Sequence, residues 1–163
     1  MAEAEPLGAV FVGTRGGRVF AVLDRDGTPI DGSPLTDPGF QNPMGLTTDT
    51  HGNVWVANFA DQRLSAFCGT DSDTCPRGLE TGEAISPDDT GYAFDGFTRN
   101  TGVAVDPSGN VWVANNWENI PVQTNPGAHQ IVAFVGAAAP LPVEPFTSTL
   151  NSSSPPFRVK VQS

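Results

Sequence analysis

The chain has 163 residues, enough for one domain with an ordinary core, and its 18 glycines and 15 prolines make it rich in turns. Eighteen acidic residues against eight basic ones give a formal charge of -10, and the arginines are spread singly, which argues against a nucleic-acid partner and against an anionic membrane surface. Apolar residues recur in short bounded runs rather than at helical spacing, and no run has the length of a membrane span, so the sequence predicts an all-β domain.

In chain order, residues 1–7 read as a loose terminus, acidic where an export signal would be basic and then apolar. Ala9 to Gly13 predict a first strand and Arg18 to Leu23 its hairpin mate, with Thr28 to Ile30 opening an outer strand. Prolines 34, 38 and 43 punctuate the crossing to a second unit, whose strands are expected at Gly45 to Asp49, Asn53 to Phe59 and Arg63 to Cys68. Residues 69–99 form an insertion of a length that usually carries function. A third unit has strands at Gly102 to Asp106, Asn110 to Asn115 and His129 to Val135, with a second insertion before the last of them. After a linker at residues 151–156, Phe157 to Val161 alternates as one more strand.

Gly45-Leu46-Thr47-Thr48-Asp49-Thr50-His51-Gly52-Asn53-Val54-Trp55-Val56-Ala57-Asn58 returns 57 residues later as Gly102 to Asn115, with nine of fourteen positions identical. Both copies read as a short strand, an Asp-x-x-Gly-Asn turn and an alternating strand centred on Trp. The first unit matches the second at an offset of 44 over Val10 to Thr14 and, by residue likeness, at 45 over Arg18 to Val22. It lacks a partner for the strand Gly45 to Asp49. Asp49 and Asp106 are expected to accept backbone N–H bonds in the turns, and Trp55 and Trp112 to pack between sheets. Units of this size with three or four antiparallel strands suggest β-propeller blades, at about 8–43, 44–99 and 100–136, followed by a tail at 137–163, all in one domain.

The pattern Gly-x-x-x-Asp-x-x-Gly-Asn-Val-Trp-Val-Ala-Asn, followed by Arg-Leu/Ile-x-x-Phe, resembles the NHL repeat and the related repeats of the streptogramin B lyase (virginiamycin B lyase-like) propellers. The likeness covers most of residues 9–68 and 102–136. It implies a ring of about six blades, of which this chain holds about three. Pairing of two chains into a six-bladed homodimer, a longer propeller of which this is a part, and capping by the insertions and tail all stay open, with the dimer the leading expectation. The tail strand is a candidate to complete a blade, in its own chain or in a partner.

The same resemblance implies a catalytic histidine, an acidic side chain and magnesium at the channel mouth, but neither His51, in a turn, nor His129, at a strand start, falls on a matching position. Two functions follow as expectations. One is a module binding a small neutral or sugar-like ligand or a protein, through Asn58, Asn115, Asn116, Trp117 and Tyr92, because amide groups donate and accept together and an exposed ring adds apolar area. The other is a metal-assisted lyase or hydrolase using His129, Asp95 and Glu118 at the channel mouth or dimer seam. Asp71, Asp73, Asp88 and Asp89 crowd two loops where calcium or magnesium would find oxygen ligands. Cys68 and Cys75 are spaced to staple an acidic loop as a disulfide, which implies an extracellular or periplasmic setting; two free thiols in a cytosolic protein are the alternative.

Overall fold

The computed structural model describes residues 10–13, 19–30, 32–36, 41–70, 72–87, 91–94, 96–117, 130–138 and 158–162. They form an all-β structure of three antiparallel sheets that follow one another along the chain. The first contains β1 (Val10–Gly13), β2 (Val19–Leu23) and β3 (Leu35–Thr36), in that order. The middle sheet contains β4 (Pro43–Thr48), β5 (Val54–Asn58) and β6 (Arg63–Phe67). The last contains β7 (Arg99–Val105), β8 (Val111–Trp117), β9 (Gln130–Val135) and β10 (Arg158–Gln162), each hydrogen-bonded to the next.

The repeated turn is built around one carboxylate. Asp49 Oδ1 accepts the backbone N–H groups of His51 (2.9 Å) and Asn53 (3.0 Å), while Oδ2 accepts Asn53 Nδ2 (3.3 Å) and Trp55 Nε1 (3.0 Å). Asp106 repeats the set with Ser108 N–H (2.8 Å), Asn110 N–H (3.0 Å), Asn110 Nδ2 (2.9 Å) and Trp112 Nε1 (2.9 Å). Gly52 and Gly109 sit in these turns at φ of 79° and 77°, a region open to glycine and costly for most side chains. The asparagine of each turn also reaches forward. Asn53 Oδ1 accepts the N–H of Gly69 (3.4 Å), and Asn110 Oδ1 that of Gly136 (2.9 Å), which fixes the chain as it leaves β6 and β9. Nine identities in fourteen are thus identities of a hydrogen-bonded device, not only of strand pattern.

Alternation on β5 and β6 gives the middle sheet two buried faces. One side, Trp55, Ala57, Leu64 and Ala66, packs in a single cluster with Val111, Val113, Val132 and Phe134 of the last sheet. Its other side, Val54, Val56 and Phe67, packs with Val22 of the first sheet. Tyr92 and Phe97, from the chain between the sheets, join the larger cluster. Tyr92 stacks on Trp55 with centroids 6.1 Å apart, and Phe97 lies 5.5 Å from Phe134. Burial of several such rings supplies about 2–3 kcal/mol each of apolar stabilisation before ordering costs.

The strands β4 and β7 lie against one another. A Cβ built on Gly45 would stand 2.8 Å from Gly102 Cα and 2.8 Å from Thr101 O, so this contact is made by backbone and only glycine fits.

Two details depart from the sequence reading, and a third resolves an open one. Pairing of Phe11 with Val22 matches that of Trp55 with Ala66, so the first unit aligns at a uniform offset of 44. The offset of 45 over the second strand matched residue types but would turn every side chain to the opposite face. The outer strand of the first sheet is β3, not Thr28 to Ile30, where a single bridge joins Pro29 to Leu23. The tail strand β10 pairs antiparallel with β9, Val159 opposite Phe134, and so adds a fourth strand to the last sheet of its own chain, while the first sheet keeps three.

Candidate functional site

Opposite the Asp turns, both copies of the repeat end on an asparagine that holds the chain just before the inner strand. Asn58 Oδ1 accepts the N–H of Gln41 (3.1 Å), and Asn115 Oδ1 accepts the N–H (2.7 Å) and hydroxyl (2.9 Å) of Thr98. Their amide nitrogens donate inward, Asn58 Nδ2 to Ser65 Oγ (2.8 Å) and Asn115 Nδ2 to Gly96 O (2.9 Å). Both residues are fully buried. This corrects their expected place on an open binding face: an amide at a strand end inside the sheet must satisfy itself on the protein.

Tyr92 is likewise a core residue. It is buried against Trp55 and Phe134, its backbone pairs with Leu64, and burial pushes its phenol up to about 12. Asn116 is half-buried and accepts the Thr101 hydroxyl (2.6 Å). Trp117 ends β8 opposite Arg99. His51 holds the Asp49 turn through its backbone, and its carbonyl accepts the Thr74 hydroxyl (2.8 Å). Asp73 lies exposed in a short 3-10 turn, Ser72–Thr74. Cys68 and Cys75 form the disulfide. Asp71, Asp88, Asp89, Asp95, Glu118 and His129 lie outside the described residues.

What gathers at this end was not visible beforehand. Both inner strands carry a register shift here, between Pro43 and Gly45 in β4 and between Asn100 and Gly102 in β7. The turn joining β5 to β6, Phe59 to Gln62, lies beside them and holds Gln62 at a φ of 61°. The Arg99 guanidinium crosses from the last sheet to donate to Phe59 O (2.9 Å) and Ala60 O (3.1 Å), and stands 5.1 Å over the Phe59 ring. Asn100 Nδ2 donates to Arg63 O (3.3 Å) on the other side of the turn. Around these contacts sit three buried polar atoms with no hydrogen-bond partner: Asp61 Oδ1, Arg99 Nε and Asn100 Oδ1. Each such atom costs about 1–3 kcal/mol when left unpaired. Among the described residues, such atoms fall on this turn and on the start of β7 beside it, which makes the locus a candidate for binding.

Burial raises the Asp61 carboxyl to about 6, an effect that Arg63 only partly offsets. Between the ordinary value of 3.8 and about 6, the folded protein holds a proton that the unfolded chain has released. Asp61 therefore weakens the fold as pH rises through that window, by about 1–2 kcal/mol once its half-exposure is allowed for. Asp106 acts in the opposite sense: hydrogen bonds from Asn110 and Trp112 lower it to about 2, so its contribution is present above 3.8 and is lost as pH falls toward 2. Chemical denaturation of wild type and Asp61→Asn should show the wild type losing ground to the variant from pH 4 to 7. Parallel profiles would place Asp61 in water.

The metal that the resemblance implies finds no fit among the described residues. No three His, Cys, Asp or Glu side chains converge there, and the carbonyls of Phe59 and Ala60 are already taken by a guanidinium. The unpaired atoms are two oxygen acceptors and one N–H donor. No family model matches the chain, and no curated protein matches it.

Proposed function

We propose that the protein is an NHL-like β-propeller module that binds a small neutral ligand rich in hydroxyl groups at the β5–β6 turn. The observation that carries this reading is the trio of unpaired polar atoms on Asp61, Arg99 and Asn100. A polyol or sugar would pair two acceptors and one donor without bringing a charge into the site. The ring at Phe59, already under the Arg99 guanidinium, adds an apolar wall. The propeller part of the reading is supported by the close approach of Gly45 to Gly102. Equivalent positions of successive units meet when the units turn about a common axis. The disulfide supports a setting outside the reducing cytosol, extracellular or periplasmic.

A thermal-shift panel of neutral monosaccharides, disaccharides and polyols tests this directly. At a concentration of about 100 times the dissociation constant, a fitting ligand stabilises the fold by about 2.7 kcal/mol, several degrees in Tm for a chain of this size. Asn100→Leu should remove the shift while leaving the far-ultraviolet spectrum unchanged. An equal shift in wild type and Asn100→Leu, or none with any member of the panel, would sink the assignment.

One observation favours a second reading. A carboxyl at about 6 can exchange protons near neutral pH, as a general base in a hydrolase or lyase must. On that reading turnover would rise through a single ionisation near pH 6 and vanish in Asp61→Asn.

A further inference from the structure

The two ends of the sheet stack differ from its interior in one respect: each shows a face that the interior covers. In the middle sheet the face made by Trp55, Ala57, Leu64 and Ala66 is sealed by the next sheet, leaving Trp55 2 % and Leu64 0 % exposed. The same register positions in the last sheet are Trp112, Ala114, Ile131 and Ala133, as the pairs Trp112–Ala133 and Ala114–Ile131 repeat Trp55–Ala66 and Ala57–Leu64. Here Ala133 is buried, but Ile131 is 51 % exposed, Trp112 and Ala114 are half-buried, and Ala104 beside Trp112 is exposed. An isoleucine so placed beside a tryptophan is an uncovered sheet face.

The covering surface is also repeated. Val111, Val113, Val132 and Phe134 of the last sheet seal the middle one, and Val54, Val56 and Phe67 of the middle sheet, with Ser65 between them, meet the first. At the uniform offset of 44, the corresponding positions of the first sheet are Val10, Val12, Ala21 and Leu23, as the pairs Val10–Leu23 and Val12–Ala21 confirm. Ala21 and Leu23 are only half-buried, although Ser65 and Phe67 at their places in the middle sheet are fully buried. The stack thus ends on one side with a face that expects a cover and on the other with the surface that, in this protein, provides covers.

We propose that these two faces meet between copies: the Trp112–Ile131 face of one molecule is covered by the Val10–Leu23 face of a second, in the way the middle and last sheets pack within one chain. Because the two surfaces differ, the contact is head-to-tail, and two copies close it when both contacts form together. The occupant is a second copy because the complementary surface exists on the same molecule, in the same register and of the same apolar character.

Sedimentation velocity on the full chain, from about 1 to about 100 µM, should show a species of twice 17.1 kDa. Ile131→Glu and Leu23→Glu should each raise the dissociation constant about a hundredfold or more, because a carboxylate would be buried without a partner. Ile131 is exposed in the single chain, so Ile131→Glu folds, and circular dichroism checks both variants. An equimolar mixture of the two variants should recover part of the dimer, since one contact then joins two unaltered faces. A monomer throughout the range would overturn the proposal, with a segment of the same chain as the cover if Trp112 fluorescence is quencher-resistant. So would a dimer that neither substitution weakens.

Discussion

Asp49→Ala should lower stability by about 3–5 kcal/mol, read from urea denaturation, with the fluorescence of the native state shifting to the red. Four donors converge on this carboxylate, two from the backbone of the turn and two from side chains. Bonds to a charged acceptor are the stronger kind, and removing the acceptor strands the donors it served. The Trp55 indole N–H suffers most, because its ring is only 2 % exposed. Asp49→Asn should fall between the two, keeping one acceptor oxygen for the backbone while turning an amide N–H toward another N–H. Asp106→Ala removes the same four bonds, yet its tryptophan is half-exposed, so its loss should be the smaller. A loss below about 1 kcal/mol in Asp49→Ala would mean that the strands, not the carboxylate, hold the turn.

A pair of glycine substitutions should separate in sign. Gly45→Ala places a Cβ 2.8 Å from Gly102 Cα and 3.0 Å from Val103 N, all backbone, so β4 and β7 must move apart. Overpacking of that kind costs about 1–3 kcal/mol, and here it also opens the largest core cluster. Gly102→Ala, at the equivalent position, meets only Ala114 Cβ at 3.7 Å. That is ordinary contact, and the lower freedom of alanine in the unfolded chain should leave the variant neutral or stabilised by about 0.4–1 kcal/mol. Thermal denaturation of the two single variants decides it. Equal losses would show that the inner strands approach differently from the contact described.

The fold was legible where the sequence repeats itself. Asp-x-x-Gly-Asn announced the turns, alternation around Trp55 and Trp112 announced the strands, and the spacing of Cys68 and Cys75 announced the disulfide. Register was less legible. Aligning Phe67 with Val22 preserved a run of residue likenesses, but facing is decided by pairing across the hairpin, and Val22 lies opposite Phe11. The tail strand was visible as a strand while its neighbour was not, because alternation says which residues share a face and not which edge they join.

For the site, reasoning from residue type misled at Asn58 and Asn115. Amides at strand ends look like a polar rim, yet here they occupy the interior and tie down the segments at Gln41 and Thr98. The unpaired trio left almost no trace in the sequence. Its one signal is a break in the repeat: Asn100 stands where the previous unit has Pro43, an acceptor-bearing amide at a buried position filled elsewhere by a ring. Asp61 and Arg99 have no such mark. Asp61 lies in a turn of ordinary composition, and the guanidinium that binds this turn arrives from a strand that begins 38 residues further on.

In the Asp49 and Asp106 clusters the carboxylate and the indole are only six positions apart. Contacts so close in sequence form on the microsecond scale of a hairpin, before any pairing that depends on closing the long insertions. The second and third units therefore each enter folding with a nucleus of their own, and docking of the sheets follows as the slower step. A ribosome extending this chain would release the hairpin at Asp49 well before the one at Asp106, so the middle sheet can serve as the platform on which the last one assembles.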